Sequence, residues 1–131
     1  MTRTIFSKII DGEIPCHKVY EDDLTFAFMD IYPVAPGHVL VVSKNPVEFV
    51  WDLPKEDYKA LQDTVKKIAL RQREVLGVPY VGQQIIGVDV PHAHIHLIPF
   101  RKVSEYRHQP DATIEPNHQE LAKIATKLRL Q

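Results

Sequence analysis

The chain has little of what would announce a specialised class. A single cysteine, Cys16, stands among 131 residues, so no internal disulfide can brace the fold, a pattern that fits a reducing compartment. Apolar runs reach only four residues, as at 39–42, far short of the roughly 20 that cross a bilayer. Arg3, Ser7 and Lys8 interrupt the opening segment, which leaves no apolar stretch of signal-peptide length. Neither sign of charge dominates: 16 basic and 17 acidic side chains leave a net charge of −1, which argues against a general basic field for nucleic acid. Internal repeats and low-complexity tracts are also missing. We therefore expect a cytoplasmic protein with neither a nucleic-acid nor a membrane partner.

What is present is ordinary globular material, 44% hydrophobic and 25% charged, in a length that suits one domain over residues 1–131. Ten prolines and five glycines punctuate short periodic segments. Phe6, Ile9 and Ile10 are spaced for one short helical turn, closed by Asp11-Gly12. Alternating β-branched and aromatic residues predict strands at 18–20, 25–29, 38–43, 81–86 and 92–99. Tyr58, Leu61, Val65, Ile68 and Val75 recur at helical steps, so a long amphipathic helix is expected over 55–76, with Pro54 near its start and Gly77 past its end. A terminal helix over 116–130 would turn Leu121, Ile124 and Leu128 inward. The expected class is α+β, a mainly antiparallel sheet with one long and one C-terminal helix.

The most informative segment reads His92-Ala93-His94-Ile95-His96-Leu97-Ile98. Along a strand, alternate side chains share a face, which puts the three histidines together and Ala93, Ile95 and Leu97 against the core. Clustered imidazoles repel one another whenever more than one is protonated, so such a row calls for a function. A metal site would need ring nitrogens 2.0–2.1 Å from one ion. The outer histidines of a flat strand lie roughly 13 Å apart at Cα, so one tetrahedral ion would require a sharp bend or a ligand from elsewhere. An elongated anion such as a phosphate chain suits the row better: one neutral imidazole can attack phosphorus while a neighbour donates to its oxygens. Gly87, just upstream, marks either a close backbone approach to a ligand or a simple turn.

These residues resemble the histidine triad (HIT) superfamily of nucleotidyl hydrolases and transferases, and its Hint-like branch most closely. The family signature is His-φ-His-φ-His-φ-φ, with φ apolar, and residues 92–98 match it throughout. The opening Ile5-Phe6-Ser7-Lys8-Ile9-Ile10-Asp11-Gly12-Glu13-Ile14-Pro15 is similar to the family's first segment. So, in order, are Val19-Tyr20-Glu21-Asp22, Ala27-Phe28-Met29-Asp30-Ile31 and Ala35-Pro36-Gly37-His38. The likeness runs from about residue 5 to 100. It implies a HIT-like fold, a homodimer whose sheets join across a two-fold axis, and no cofactor. It also implies that His94 is the nucleophile, with its Nδ1 proton held by the carbonyl of His92, and that His96 contacts the α-phosphate. Asp30 would accept from both ribose hydroxyls. Phe6, Ile9, Phe28 and Ile31 would form a slot for a purine base, though core packing would serve Phe6 and Ile9 equally well. The backbone of Gly87 and Val88 would donate to phosphate oxygens, and His38 would support the site.

Three departures from the family pattern matter. Many bacterial relatives carry a Cys-x-x-Cys zinc pair where this chain has Thr4 and Ser7, and a further histidine where it has Pro46; no structural zinc is therefore expected. The phosphate loop reads Gly87-Val88-Asp89 where studied members carry serine or threonine third. Asp89 would either turn away or, kept protonated, donate to the leaving group. A usual Asn or Gln falls here on Val81, for which Gln83 or Gln84 could stand in. The expected activity is hydrolysis of a purine nucleotide phosphoramidate, releasing AMP or GMP. Dinucleoside polyphosphate hydrolysis, a non-catalytic nucleotide-binding role and a metal protein remain alternatives. The segment 101–110, with Arg101, Lys102, Arg107 and His108, is either a solvated loop or a contact to leaving-group phosphates.

Overall fold

Thr4 begins the first helix: its hydroxyl accepts from the Ser7 amide while the Ser7 hydroxyl accepts from the Thr4 amide, so orphan donors at the helix start are satisfied reciprocally. The computed structural model describes residues 3–130, and this helix is α1 (Ile5–Ile10). Strands β1 (Lys18–Glu21) and β2 (Thr25–Met29) follow, joined by a turn in which the Asp22 carboxylate accepts from the amides of Leu24 and Thr25. Next come β3 (Val39–Ser43), a 3-10 turn at Val50–Asp52, and α2 (Lys55–Leu76). Gly77 closes α2 at φ +64°, a left-handed conformation in which glycine pays no Cβ penalty. Then follow β4 (Tyr80–Gln84), β5 (His94–Phe100), α3 (Val103–Tyr106) and α4 (His118–Leu128).

The five strands form one antiparallel sheet in the order β1-β2-β3-β5-β4. Both faces of its centre are covered, which is why β2 and β3 read as continuous apolar runs. On one face Ala27, Met29, Val39, Val41, Ile95 and Leu97 pack with Leu61, Val65 and Ile68 of α2 and Leu121, Ile124 and Leu128 of α4. On the other, Phe26, Phe28, Leu40 and Val42 pack with Phe6 of α1. Val42 is paired with His94 and Leu40 with His96. Paired residues share a face, so the two histidines project on the α1 side.

The long helix spans the expected residues, and the α+β class with its antiparallel sheet is as expected. Several elements differ in extent: β4 ends at Gln84 rather than residue 86, and α4 spans His118–Leu128 within the expected 116–130. The fifth strand begins at His94, not His92: the His92 amide donates to Val90 O, and this local turn takes residue 92 out of the ladder. Within the segment 101–110, residues 103–106 form the one-turn helix α3, whose start is capped by Glu105 accepting from the amides of Arg101 and Lys102.

One buried polar side chain ties α2 to the turn before β3. Gln72 is fully buried, and its Nε2 donates to Gly37 O at 2.8 Å and to Leu97 O at 3.2 Å. Gly37 has φ +94°, and a Cβ there would lie 2.4 Å from Leu76 Cδ1, so the turn tolerates no side chain. Replacing Gln72 by leucine removes this donor from two carbonyls. It should lower stability by about 1–3 kcal/mol, read as a lower urea midpoint at unchanged slope.

Candidate active site

The α1 face of the sheet gathers His92, His94 and His96, with His38 from the start of β3 and Asp30 from the end of β2. Buried imidazoles must be neutral or paired, and here each ring has its proton assigned by a neighbour. Val34 N–H donates to His38 Nδ1 at 3.1 Å, so the proton of neutral His38 sits on Nε2. That nitrogen lies 3.0 Å from His96 Nδ1, which must then accept. His96 is left with its own N–H on Nε2. His92 Nε2 lies 2.5 Å from Ser43 O, an acceptor only, so His92 also carries its proton on Nε2 and its Nδ1 accepts from the Thr4 hydroxyl at 2.7 Å. His94 Nδ1 is 2.7 Å from His92 O; it donates there, and the lone pair of His94 is therefore on Nε2.

Desolvation lowers the pKa of all four rings. His38 falls to about 3, with repulsion from His96 adding to burial. His96 falls to about 4, with His94 adding to burial. His92 and His94 are also lowered, burial being the largest cause. Asp30 moves the other way for the same reason: burial raises it to about 6 and the charge of Asp89 adds to this, against the stabilising Tyr32 amide. Its Oδ2 stands 3.5 Å from His38 Nε2.

Asp30, His38 and His96 each bring one ligand-type atom within 4.8 Å of the others, the single such grouping of three among the described residues. Its chemistry is wrong for a metal. The Val34 amide occupies the lone pair on His38 Nδ1, so the nitrogen facing the other two groups is the protonated one. Thr4 and Ser7, at the positions the resemblance gives to a zinc-binding cysteine pair, hold hydroxyls engaged with each other, and that of Thr4 is also engaged with His92. Neither is a zinc ligand of the usual kind.

Phe6 joins the cluster edge-on, its ring centroid 5.0 Å from His94, 5.8 Å from His92 and 5.6 Å from Phe28. Ile9 packs partly buried on the same apolar group, as does Val90. Ile31 is brought less closely: it is 39% exposed and lines a groove of about 360 Å³ together with Pro33 and Ile124. Gly87 has φ +77°, Val88 is 80% exposed, and Asp89 is exposed. The Asp89 carboxylate acts as a negative charge on Asp30, His94 and His96. Sequence reasoning missed Thr4 and Ser43 as partners of His92. Thr4 had a local signal as a helix cap, but its pairing across 88 residues had none.

Fold and site together define an α+β protein that presents a neutral histidine cluster on one sheet face. The family follows from comparison: residues 11–103 match the HIT domain, and the chain belongs to the HIT family. It is 39% identical over 102 residues to the purine nucleoside phosphoramidase of Escherichia coli K12, covering 72% of this chain and 85% of that protein. An uncharacterized HIT-like protein of Synechococcus elongatus is 40% identical over 110 residues, 77% of this chain and 93% of the relative. A crystal structure of a HIT-like protein from Bartonella henselae superposes with a TM-score of 0.85 at 32% identity, covering 97% of this chain and 94% of that one. A crystal structure of a HIT family hydrolase from Legionella pneumophila is also similar, with a TM-score of 0.64 at 32% identity over 76% of this chain and 95% of that one.

The buried neutral imidazoles make stability depend on pH. Unfolded, a histidine binds a proton near pH 6.5, whereas folded His38 and His96 do so only near 3 and 4. The unfolded state therefore holds more protons across that window, and stability falls as pH drops below about 6.5. Asp30, with its raised value, offsets part of this between pH 6 and 4. The melting temperature should be lower at pH 5 than at pH 7, by the equivalent of about 1–2 kcal/mol per buried histidine. Thermal denaturation at the two values checks it.

Proposed function

We propose that the protein hydrolyses purine nucleotide phosphoramidates at the α-phosphorus through a covalent nucleotidyl intermediate on His94. The observation that carries this reading is the His94 Nδ1–H bond to His92 O, which leaves an unprotonated Nε2 on a ring that desolvation keeps neutral. Nε2 attacks phosphorus, the P–N bond to the amine breaks, and the amine takes up a proton from solvent. Water then attacks the same phosphorus, the His94–phosphorus bond breaks, and the nucleoside monophosphate leaves. The positive charge on His94 in the intermediate faces the His92 carbonyl.

The neighbouring roles are those the family resemblance implies. His96, with its proton on Nε2, donates to a phosphate oxygen, as do the amides of Gly87 and Val88. The carboxylate of Asp30 accepts from the two ribose hydroxyls. Phe6, Ile9, Phe28 and Ile31 bound the base, and His38 supports His96. A phosphoramidate is favoured over a dinucleoside polyphosphate by charge. The triad, His38, Asp30 and residues 87–91 contribute two carboxylates and no Lys or Arg. A departing amine, cationic once protonated, suits that field, and a departing polyphosphate does not. The homodimer is part of the same reading: β4 lies at the edge of the sheet, and Leu70 on α2 is half exposed, which leaves a strand edge and a helix face for a second copy.

Intact-protein mass spectrometry after rapid quenching with adenosine phosphoramidate tests the mechanism. Wild type should show a transient gain of one AMP, and His94→Ala should show neither adduct nor turnover. Nucleotide binding without adduct or turnover in wild type would replace the enzyme by a binding protein. The pH dependence adds a second check. Protonating Asp30 below about pH 6 turns an ionised acceptor into a neutral acid. KM should therefore rise several-fold between pH 7 and pH 5, and Asp30→Asn should abolish that rise.

A further inference from the structure

The Thr4 hydroxyl is shared between two parts of the site. As the N-cap of α1 it accepts from the Ser7 amide at 3.1 Å, and it lies 2.7 Å from His92 Nδ1. That nitrogen can only accept, because the other nitrogen of the neutral ring donates to Ser43 O at 2.5 Å. Thr4 is therefore the donor. The site needs a side chain that accepts from a backbone amide and donates to a ring nitrogen through one atom, which a hydroxyl does and a carboxylate or methyl group does not.

His92 stands outside the β-ladder, so sheet pairing does not hold it. Its ring is bonded at both ends, by Thr4 and by Ser43, and its amide turns back to Val90 O. The adjoining amide of Ala93 donates to Val47 O at 2.7 Å. These bonds together set the peptide whose carbonyl holds His94 Nδ1. Thr4 also begins the helix that carries Phe6, whose ring meets both His92 and His94.

We propose that Thr4 is a positioning residue, whose hydroxyl joins the start of α1 to the ring of His92 and through the His92 main chain aims His94. The proposal rests on the reading of His94 as nucleophile. Its contribution lies in kcat, because the atoms it orders are those that set the attacking nitrogen, and small misplacements of a nucleophile cost large factors in rate.

Three variants separate this role from simple helix capping. Thr4→Val keeps the shape and loses the hydroxyl; kcat for adenosine phosphoramidate should fall about 10- to 100-fold, with KM within about threefold. Thr4→Ser should restore kcat to near wild type. Ser7→Ala breaks the reciprocal cap but keeps the Thr4 hydroxyl, and its kcat should stay within about threefold of wild type. Nitrogen-15 spectra of the unliganded protein read the ring directly. In wild type and Thr4→Ser, His92 should carry its proton on Nε2 with Nδ1 accepting, and in Thr4→Val the Nδ1 signal should move to that of an unbonded nitrogen.

Wild-type kcat in Thr4→Val overturns the proposal, and so do equal losses in Thr4→Val and Ser7→Ala, which would make Thr4 a cap alone. Should Thr4→Val fail to fold, the wild-type spectrum still decides, since a proton on His92 Nδ1 is incompatible with Thr4 as donor. A wild type inert toward adenosine phosphoramidate would instead overturn the nucleophile reading, a result distinct from any change at the His92 ring.

Discussion

Four imidazoles packed on one sheet face share a single constraint: burial disfavours their charged forms, so each is neutral with its one proton in a defined place. The main chain supplies the definitions. Val34 N–H sets His38, and through it His96. Ser43 O sets His92, and His92 O sets His94. Because every chain of hydrogen bonds ends on a backbone group, the tautomers depend on where the strands and turns lie, and the chemistry of the site depends on the tautomers.

Much of the remaining structure can be understood as support for those backbone groups. Gln72 reaches out of α2 to the Gly37 carbonyl, next to His38. The pairing of Val42 with His94 and of Leu40 with His96 fixes the height of the histidines above the sheet. Core packing of Ile95 and Leu97 on the opposite face holds the strand in that register, since a slip of one residue would bury the imidazoles among aliphatic side chains.

Burial acts on the site in two opposed directions. It lowers the histidines, so their lone pairs are available at neutral pH, and it raises Asp30 towards about 6. The same desolvation thus leaves imidazole lone pairs that need no prior deprotonation and brings the carboxylate close to its own titration range. Asp89 adds negative charge beside Asp30, His94 and His96. On the proposed reading, that charge suits a departing amine better than a departing polyphosphate.

The sequence alone determined the elements and the faces. Period-3.6 spacing located α2 to the residue, alternation put three histidines opposite Ala93, Ile95 and Leu97, and ordered motifs pointed to the HIT family. All these signals are local, carried by residues a few positions apart. Tertiary structure decided the rest. His92 leaves the strand because of a turn at residues 90–92, and its ring finds Thr4, 88 residues away, and Ser43, 49 residues away. The short α3 forms inside a segment whose composition reads as a loop, because Glu105 caps two amides that come with the turn after β5. The resemblance already implied a proton on His94 Nδ1, but which nitrogen holds it on His92 and His96 was beyond the sequence for the same reason. A tautomer is chosen by the atom that faces the ring, and for His92 and His96 that atom, on Ser43 and His38, is brought to the ring only by the folded chain.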